Sequence, residues 1–289
     1  MSKLDQSSTL RRMREGMLGT VIPIRKVKKR VLAVTGGKGG VGKSTVAANL
    51  AVAFARHGAR TLALDGDLGM ADLNLLLGVA PTRTMLDALD GTSVADVLVQ
   101  AHGLHLLPAQ NGSYALATMG AGAHRRALEL IESLSSRFET IVLDVAAGIG
   151  ASQTMIAGAA ADQIVVVNPE PLSMADAYAC LKTLATRAEV RHAYVLPNRV
   201  SSRAQADELV ARLGALVTRF LDLELTPLPP VPADPKVATA AACGEPLLVH
   251  APDAPAARAI RQLVRVLSSL APRSTASWWR AARAQGESR

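Results

Sequence analysis

The sequence predicts an α/β fold, a doubly wound and mostly parallel sheet of about seven strands flanked by helices. Three observations carry this. Short β-rich runs alternate with longer helical ones from residue 31 to about 270, the signature of strand–helix–strand units and parallel pairing. The β-rich runs, such as 31–34 (VLAV) and 164–167 (IVVV), are apolar throughout, as in strands covered on both faces. A glycine-rich turn separates the first strand from the first helix.

In order, residues 31–35 form the first strand. A glycine loop follows, then a helix over 43–57. Residues 60–64 are a second strand and 105–107 a short third. Leu128, Ile131 and Leu134 share one face of a helix over 124–136. Residues 140–143 are a strand, followed by a small-residue helix near 152–161. A strand at 164–167 leads to a helix over 173–187. Strands at 192–196 and 223–228 enclose a helix near 203–218. Ile260, Leu263, Val264 and Leu267 mark a last helix over 254–270. The domain is therefore expected to span 31–271. A basic extension, 1–30, precedes it, and a tail, 272–289, begins at Pro272.

Composition narrows the function. The 289 residues carry a net charge of +8. Residues 1–30 hold nine basic side chains against Asp5 and Glu15, a net +7, and residues 273–289 hold four against Glu287, a net +3. The stretch between is −2, so the body lacks the positive field of a nucleic-acid binder, and nucleic acid is not the expected partner. Hydrophobic content of 49% excludes a disordered chain. Apolar runs of four to eight residues fall short of the roughly 20 that span a bilayer. No apolar stretch marks a secretory signal near the start, and two cysteines allow no disulfide framework, so a reducing cytoplasm is expected. Cys180 and Cys243 read as small packing residues.

The segment Thr35-Gly-Gly37-Lys38-Gly39-Gly40-Val41-Gly42-Lys43-Ser44-Thr45 carries the chemistry. Gly37, Gly42, Lys43 and Ser44 fit the Walker A spacing between a strand and a helix. Glycines let backbone N–H groups face phosphate oxygens, and the helix N-terminus adds its dipole. Lys43 would reach the β- and γ-phosphates, and the Ser44 hydroxyl would ligate Mg²⁺. The same residues spell GxGxxG, with Asp65 about 20 positions on, as in dinucleotide folds. Lys43-Ser44-Thr45 decides against that reading, because hydride transfer has no use for an amine and a hydroxyl there. Residues 140–144 (TIVLD) place Asp144 at the end of an apolar strand, suited to Mg²⁺ through water. Gly148 follows with backbone freedom and an N–H for the γ-phosphate. No Asn-Lys-x-Asp is present to read guanine, so ATP is the expected nucleotide.

Lys38-Gly-Gly-Val-Gly-Lys-Ser-Thr45 resembles the deviant Walker A of the MinD/ParA-type ATPases. The resemblance covers roughly 30–270. It implies that Lys38 reaches across an ATP-bound homodimer to the partner's phosphates. It also implies that Asp67, in Asp65-Gly-Asp67, is the switch aspartate that positions the attacking water and the Mg²⁺ shell. Asn198 corresponds to an Asn that touches adenine, and Pro232 and Asp234 to the adenine-side loop. Residues 168–178 and 67–78 are similar to MinD and more so to the flagellar-number class FlhG (FleN). Two departures stand out: Val145 where the family has a small hydroxyl residue, and Asp72/Asn74 exchanged relative to its usual order. Asp5-Gln-Ser-Ser-Thr-Leu-Arg11 resembles the short element through which that class stimulates an SRP-type GTPase, FlhF, with Leu10, Met13 and Met17 on one face of a helix. Trp278-Trp279 beside Arg280 and Arg283 suits a membrane interface, so the tail is expected to bind the inner face of the cytoplasmic membrane. The expected function is a slowly hydrolysing ATP dimerisation switch that controls placement or number of a cell-surface structure. A ParA-type ATPase that binds DNA non-specifically is the alternative. An iron–sulfur relative has no ligand motif here.

Overall fold

The computed structural model describes residues 29–66, 72–109 and 121–271. Its strands are β1 (Arg30–Thr35), β2 (Thr61–Asp65), β3 (Val99–Ala101), β4 (Leu104–Leu107), β5 (Thr140–Asp144), β6 (Asp162–Val167), β7 (His192–Val200), β8 (Glu224–Pro227) and β9 (Val231–Pro232). They form one sheet in the order β3-β4-β2-β5-β1-β6-β7-β8, with β9 added to β7. Every pairing is parallel except β3 with β4.

Side-chain alternation along β1 sorts the core into two layers. Leu32 and Val34 pack with helices α1 (Lys43–Arg56) and α11 (Pro255–Ser269), whereas Val31 and Ala33 face α5 (Ala121–Ser135), α6 (Ala151–Gly158), α7 (Pro171–Arg187) and α8 (Arg203–Phe220). Both faces of β1, β2, β5 and β6 are thereby buried, which is why these strands read as unbroken apolar runs. In α11, Ile260, Leu263, Val264 and Leu267 are buried at helical spacing.

Two short strands escaped the seven-strand expectation. The residues joining β3 to β4, His102 and Gly103, have φ of 49° and 84°, the left-handed pair of a two-residue hairpin. The sheet edge is closed by this antiparallel strand of only three residues. β9 is two residues long. Helices α2 (Leu73–Leu76), α3 (Met85–Leu89), α4 (Val94–Val97) and α10 (Leu247–His250) are too brief for a 3.6-residue period to show. The stretch after Asp234, expected as a loop, contains α9 (Pro235–Ala242).

Arg30, counted with the basic extension, lies inside the domain. Its Nη1 donates to Asp162 Oδ2 at 2.8 Å and its Nη2 to the Leu270 carbonyl at 2.8 Å, both deep in the structure. Its charge is therefore spent on fastening β1 to the start of β6 and the end of α11. Among the described residues no helix is long and apolar enough to cross a membrane.

Candidate functional site

β1 lies between β5 and β6, so the chain winds outward in opposite directions on its two sides. Such a switch point opens a crevice beyond the C-terminal ends of the strands. The glycine loop, 36–42, fills it, and α1 starts at Lys43. Gly42 caps the helix with φ 96° and supplies no side-chain bond, so the first N–H groups of α1 are left for another acceptor. Around Gly39 and Gly40 there is open space. A backbone cradle of donors with room in front of it is what a chain of phosphates requires.

Two glycines are dictated by close approach. A Cβ on Gly37 would sit 2.0 Å from the Asp176 carbonyl of α7. One on Gly42 would sit 2.5 Å from Asn198 Nδ2, at the end of β7. Asn198 is buried and its Nδ2 donates to the Val41 carbonyl at 2.8 Å. Asn168, with its amide nitrogen turned inward, reaches Val41 O and Asn198 O at 3.2 Å. The Asn198 amide N–H thus braces the phosphate loop from below, and Asn168 is a second brace that the sequence did not reveal. Lys43 is buried and its ammonium donates to the Lys38 carbonyl at 3.0 Å, folded over the loop. Ser44 and Thr45 occupy the first turn of α1, half-buried.

The carboxylates line up on the same rim. Asp65 and Asp144 are directly paired in the β2–β5 register, and both are buried. Asp65 Oδ2 accepts the Leu73 N–H at 3.1 Å and so anchors α2. Asp144 also pairs with Val34 of β1, which puts it beside the strand that feeds the loop. Gly148 has φ 112° and its N–H reaches the Gly36 carbonyl at 3.4 Å. Val145 is fully buried in the apolar layer, so the missing hydroxyl is replaced by packing. Asp67 and residues 5–17 and 278–283 lie outside the described residues.

Pro232 ends β9, which lies beside β7. Asp234 is a helix cap: Oδ1 accepts Lys236 N–H at 3.0 Å and Oδ2 accepts Ala256 N–H at 3.1 Å. That double role ties the loop to α9 and α11. Cys180 is buried beneath Thr35, and burial pushes its thiol up to about 11. Cys243, read as a packing residue, is exposed at the end of α9.

Lys38 stands at the mouth. Its Nζ forms a 2.9 Å ion pair with Glu170, the residue that precedes α7. The hydrogen bond and charge of Lys38 hold the Glu170 carboxyl below the usual carboxylate range, and Arg199 adds to this. Glu170 was not singled out from sequence, because its partner is 132 residues away. Leu75, Ile149 and Leu172, in the segments that follow β2, β5 and β6, are exposed at 58%, 49% and 70%.

A glycine loop at a sheet switch point, with Lys43 folded over it and Asp144 beside it, defines a nucleotide-binding protein of the P-loop class. The chain belongs to the CobQ/CobB/MinD/ParA nucleotide-binding domain family, whose pattern matches residues 32–247. Among individual proteins it is similar to the antiactivator FleN of Pseudomonas aeruginosa, 36% identical over 222 residues, 76% of this chain and 78% of that one. Among solved structures it is similar to the cell division ATPase MinD of Pyrococcus furiosus, with a TM-score of 0.68, 27% identity, and coverage of 83% and 98% of the two chains. The septum site-determining protein MinD of Pyrococcus horikoshii, solved with Mg-ADP, gives a TM-score of 0.69 at 25% identity, covering 83% of this chain and 96% of that one.

Proposed function

We propose that the chain is a Mg²⁺-dependent ATPase that works as a dimerisation switch and sets the position or number of a cell-surface structure. The observation that carries this is Lys38. It sits at the edge of the phosphate cradle, held by Glu170, and Leu75, Ile149 and Leu172 are exposed in the segments that follow β2, β5 and β6. A second copy placed rim to rim would cover those apolar groups and bring Lys38 to the partner's phosphates.

The residue roles follow from the cradle. Backbone N–H groups of Gly39–Thr45 and the Lys43 ammonium hold the phosphates. The Ser44 hydroxyl and Asp144 suit a hard divalent cation by their oxygen chemistry and would hold Mg²⁺, which would supply charge neutralisation at the phosphates. Asp67 orients the attacking water, and Gly148 N–H turns from Gly36 to the γ-phosphate. Lys43 and Lys38 offset charge that develops in the transition state. Asn198 braces the loop, while Pro232 and Asp234 shape the base side. Residues 5–17 form the arm for an SRP-type GTPase partner, and the tail with Trp278 and Trp279 holds the ATP dimer on the inner face of the cytoplasmic membrane. Two tails per dimer add avidity to a weak individual contact.

The test is sedimentation of the full chain with anionic liposomes or with duplex DNA, each in ATP and in ADP. Pelleting with liposomes only in ATP is the expected result. Salt-sensitive pelleting with DNA in ATP would replace this reading with the DNA-binding one.

A further inference from the structure

A second recess lies at the other end of the sheet. The central strands are parallel, so the ends where β2 and β5 begin are farthest from the phosphate loop. There a cavity of about 720 Å³ opens between the end of α1, the β3–β4 hairpin, α4 and the turn before β5. Its floor is apolar, made by Leu98 and Phe138, with the His105 ring edge-on to Phe138 at 5.2 Å between centroids. Gln100 fixes the other side of that imidazole through a 3.0 Å contact between its Nε2 and His105 Nε2. Partial burial pushes the His105 pKa down, which favours the neutral ring.

The rim is cationic. Arg60 and Arg137 both line the cavity and are exposed, and neither guanidinium has an ion pair or a hydrogen bond among the described residues. Two nearby arginines differ: Arg30 pairs with Asp162, and Arg56 donates to the Leu248 carbonyl. Lys29, whose Nζ donates to Ser136 O at 3.3 Å, adds positive charge beside Arg137. No carboxylate lines the recess among the described residues; Glu139, next to Phe138, already accepts the Arg60 backbone N–H on its Oε2 at 2.8 Å.

We propose that this recess is a second ligand site, for a small organic anion with a planar apolar group. The flat group would lie on Phe138 and Leu98, and a carboxylate or phosphate would take the Arg60 and Arg137 guanidinium forks. A concave apolar floor with a few converging polar groups is the usual form of a small-molecule site, and the volume lies within the usual range. Guanidinium is the side chain best shaped for two-pronged binding of carboxylate or phosphate. The site is separate from the nucleotide cradle: α1 alone, 14 residues long, puts about 20 Å between its two ends. It therefore stands or falls independently of the ATPase reading.

The probe is anilinonaphthalene sulfonate, whose flat naphthalene ring carries an anionic sulfonate, titrated by fluorescence into the full chain with its phosphate loop saturated by Mg-ADP. One saturable site is expected. The Arg60→Ala/Arg137→Ala double variant should weaken binding about tenfold or more. Ala95→Trp, at an exposed position of α4 on the cavity wall, should block it by filling the mouth. Replacing Trp278 and Trp279 by Ala should leave it unchanged. Each variant should keep ADP binding and a cooperative melt, which reports an intact fold. Absence of saturable binding to the wild type, or affinity within about twofold of wild type in both the arginine and the Ala95 variants, would overturn the proposal.

Discussion

Gly42→Ala and Asn198→Ala should be strongly non-additive, because one atom pair links them. At φ 96°, an alanine at 42 costs about 1–2 kcal/mol of backbone strain. Its Cβ would also sit 2.5 Å from Asn198 Nδ2, so the amide must leave its 2.8 Å bond to the Val41 carbonyl. Val41 is buried, but its carbonyl keeps the 3.2 Å contact from Asn168, so losing the Asn198 bond costs about 0.5–1.5 kcal/mol. Gly42→Ala should therefore cost about 1.5–3.5 kcal/mol, and Asn198→Ala alone about 0.5–1.5 kcal/mol. In the double variant the amide is already gone and the clash with it, so the total should stay near that of Gly42→Ala. The coupling is then about 0.5–1.5 kcal/mol in favour of the double variant. ADP affinity by titration calorimetry reads this directly, since binding requires the native loop. Gly42→Ala should lose roughly tenfold to several hundredfold, with little further loss on adding Asn198→Ala. Simple additivity within about 0.3 kcal/mol would refute the idea that Asn198 is the brace under Gly42.

Arg30→Met should lower stability by about 3–5 kcal/mol, or roughly 6–20 °C in Tm, because it removes the cation that offsets the buried Asp162 carboxylate; adding Asp162→Leu should restore most of the loss in a thermal melt. With Ellman's reagent at pH 8 the native chain should titrate one fast thiol, Cys243, and the denatured chain two, because Cys180 is buried and held protonated to about pH 11. Its folded pKa is raised above its unfolded value of 9.0, so the unfolded state loses its proton first; stability should fall between about pH 9 and 11, and Cys180→Ala should remove that part of the decline in urea melts. Glu170→Gln should free Lys38 and let ATP dimers form at lower protein concentration in sedimentation velocity, while a shift to higher concentration would show that Glu170 aids the dimer rather than holding Lys38 back.

What could be read in advance depended on how local the cause was. The phosphate loop was legible because Gly37, Gly42, Lys43 and Ser44 stand within a few residues of one another and flank a strand and a helix. The central strands were legible because burial on both faces leaves no polar alternation. Thr84-Met-Leu-Asp87 is a capping box that starts α3, with Thr84 N–H and hydroxyl both on Asp87 Oδ2, and it stood in the sequence as a readable signal. Glu170 and Asn198 were different. Their bonds to the loop span 132 and 157 residues, so their roles exist only once α7 and β7 are packed against it. Asp234 shows both kinds: its cap on Lys236 is local, but its bond to Ala256 comes from the arrival of α11. Arg30 looked like one more charge of a basic arm, and only the buried Asp162 reveals it as part of the domain.

The central claim rests on Lys38 acting between two copies of the chain. Sedimentation equilibrium of wild type and Lys38→Ala, each with Mg-ATP and Mg-ADP, tests it most directly when run beside a phosphate-release assay. If Lys38 acts across the dimer, the result is a wild-type dimer in ATP, a monomer in ADP, and a Lys38→Ala chain that still binds ADP yet stays monomeric and fails to hydrolyse. A Lys38→Ala chain that dimerises with ATP and releases phosphate at the wild-type rate would contradict it.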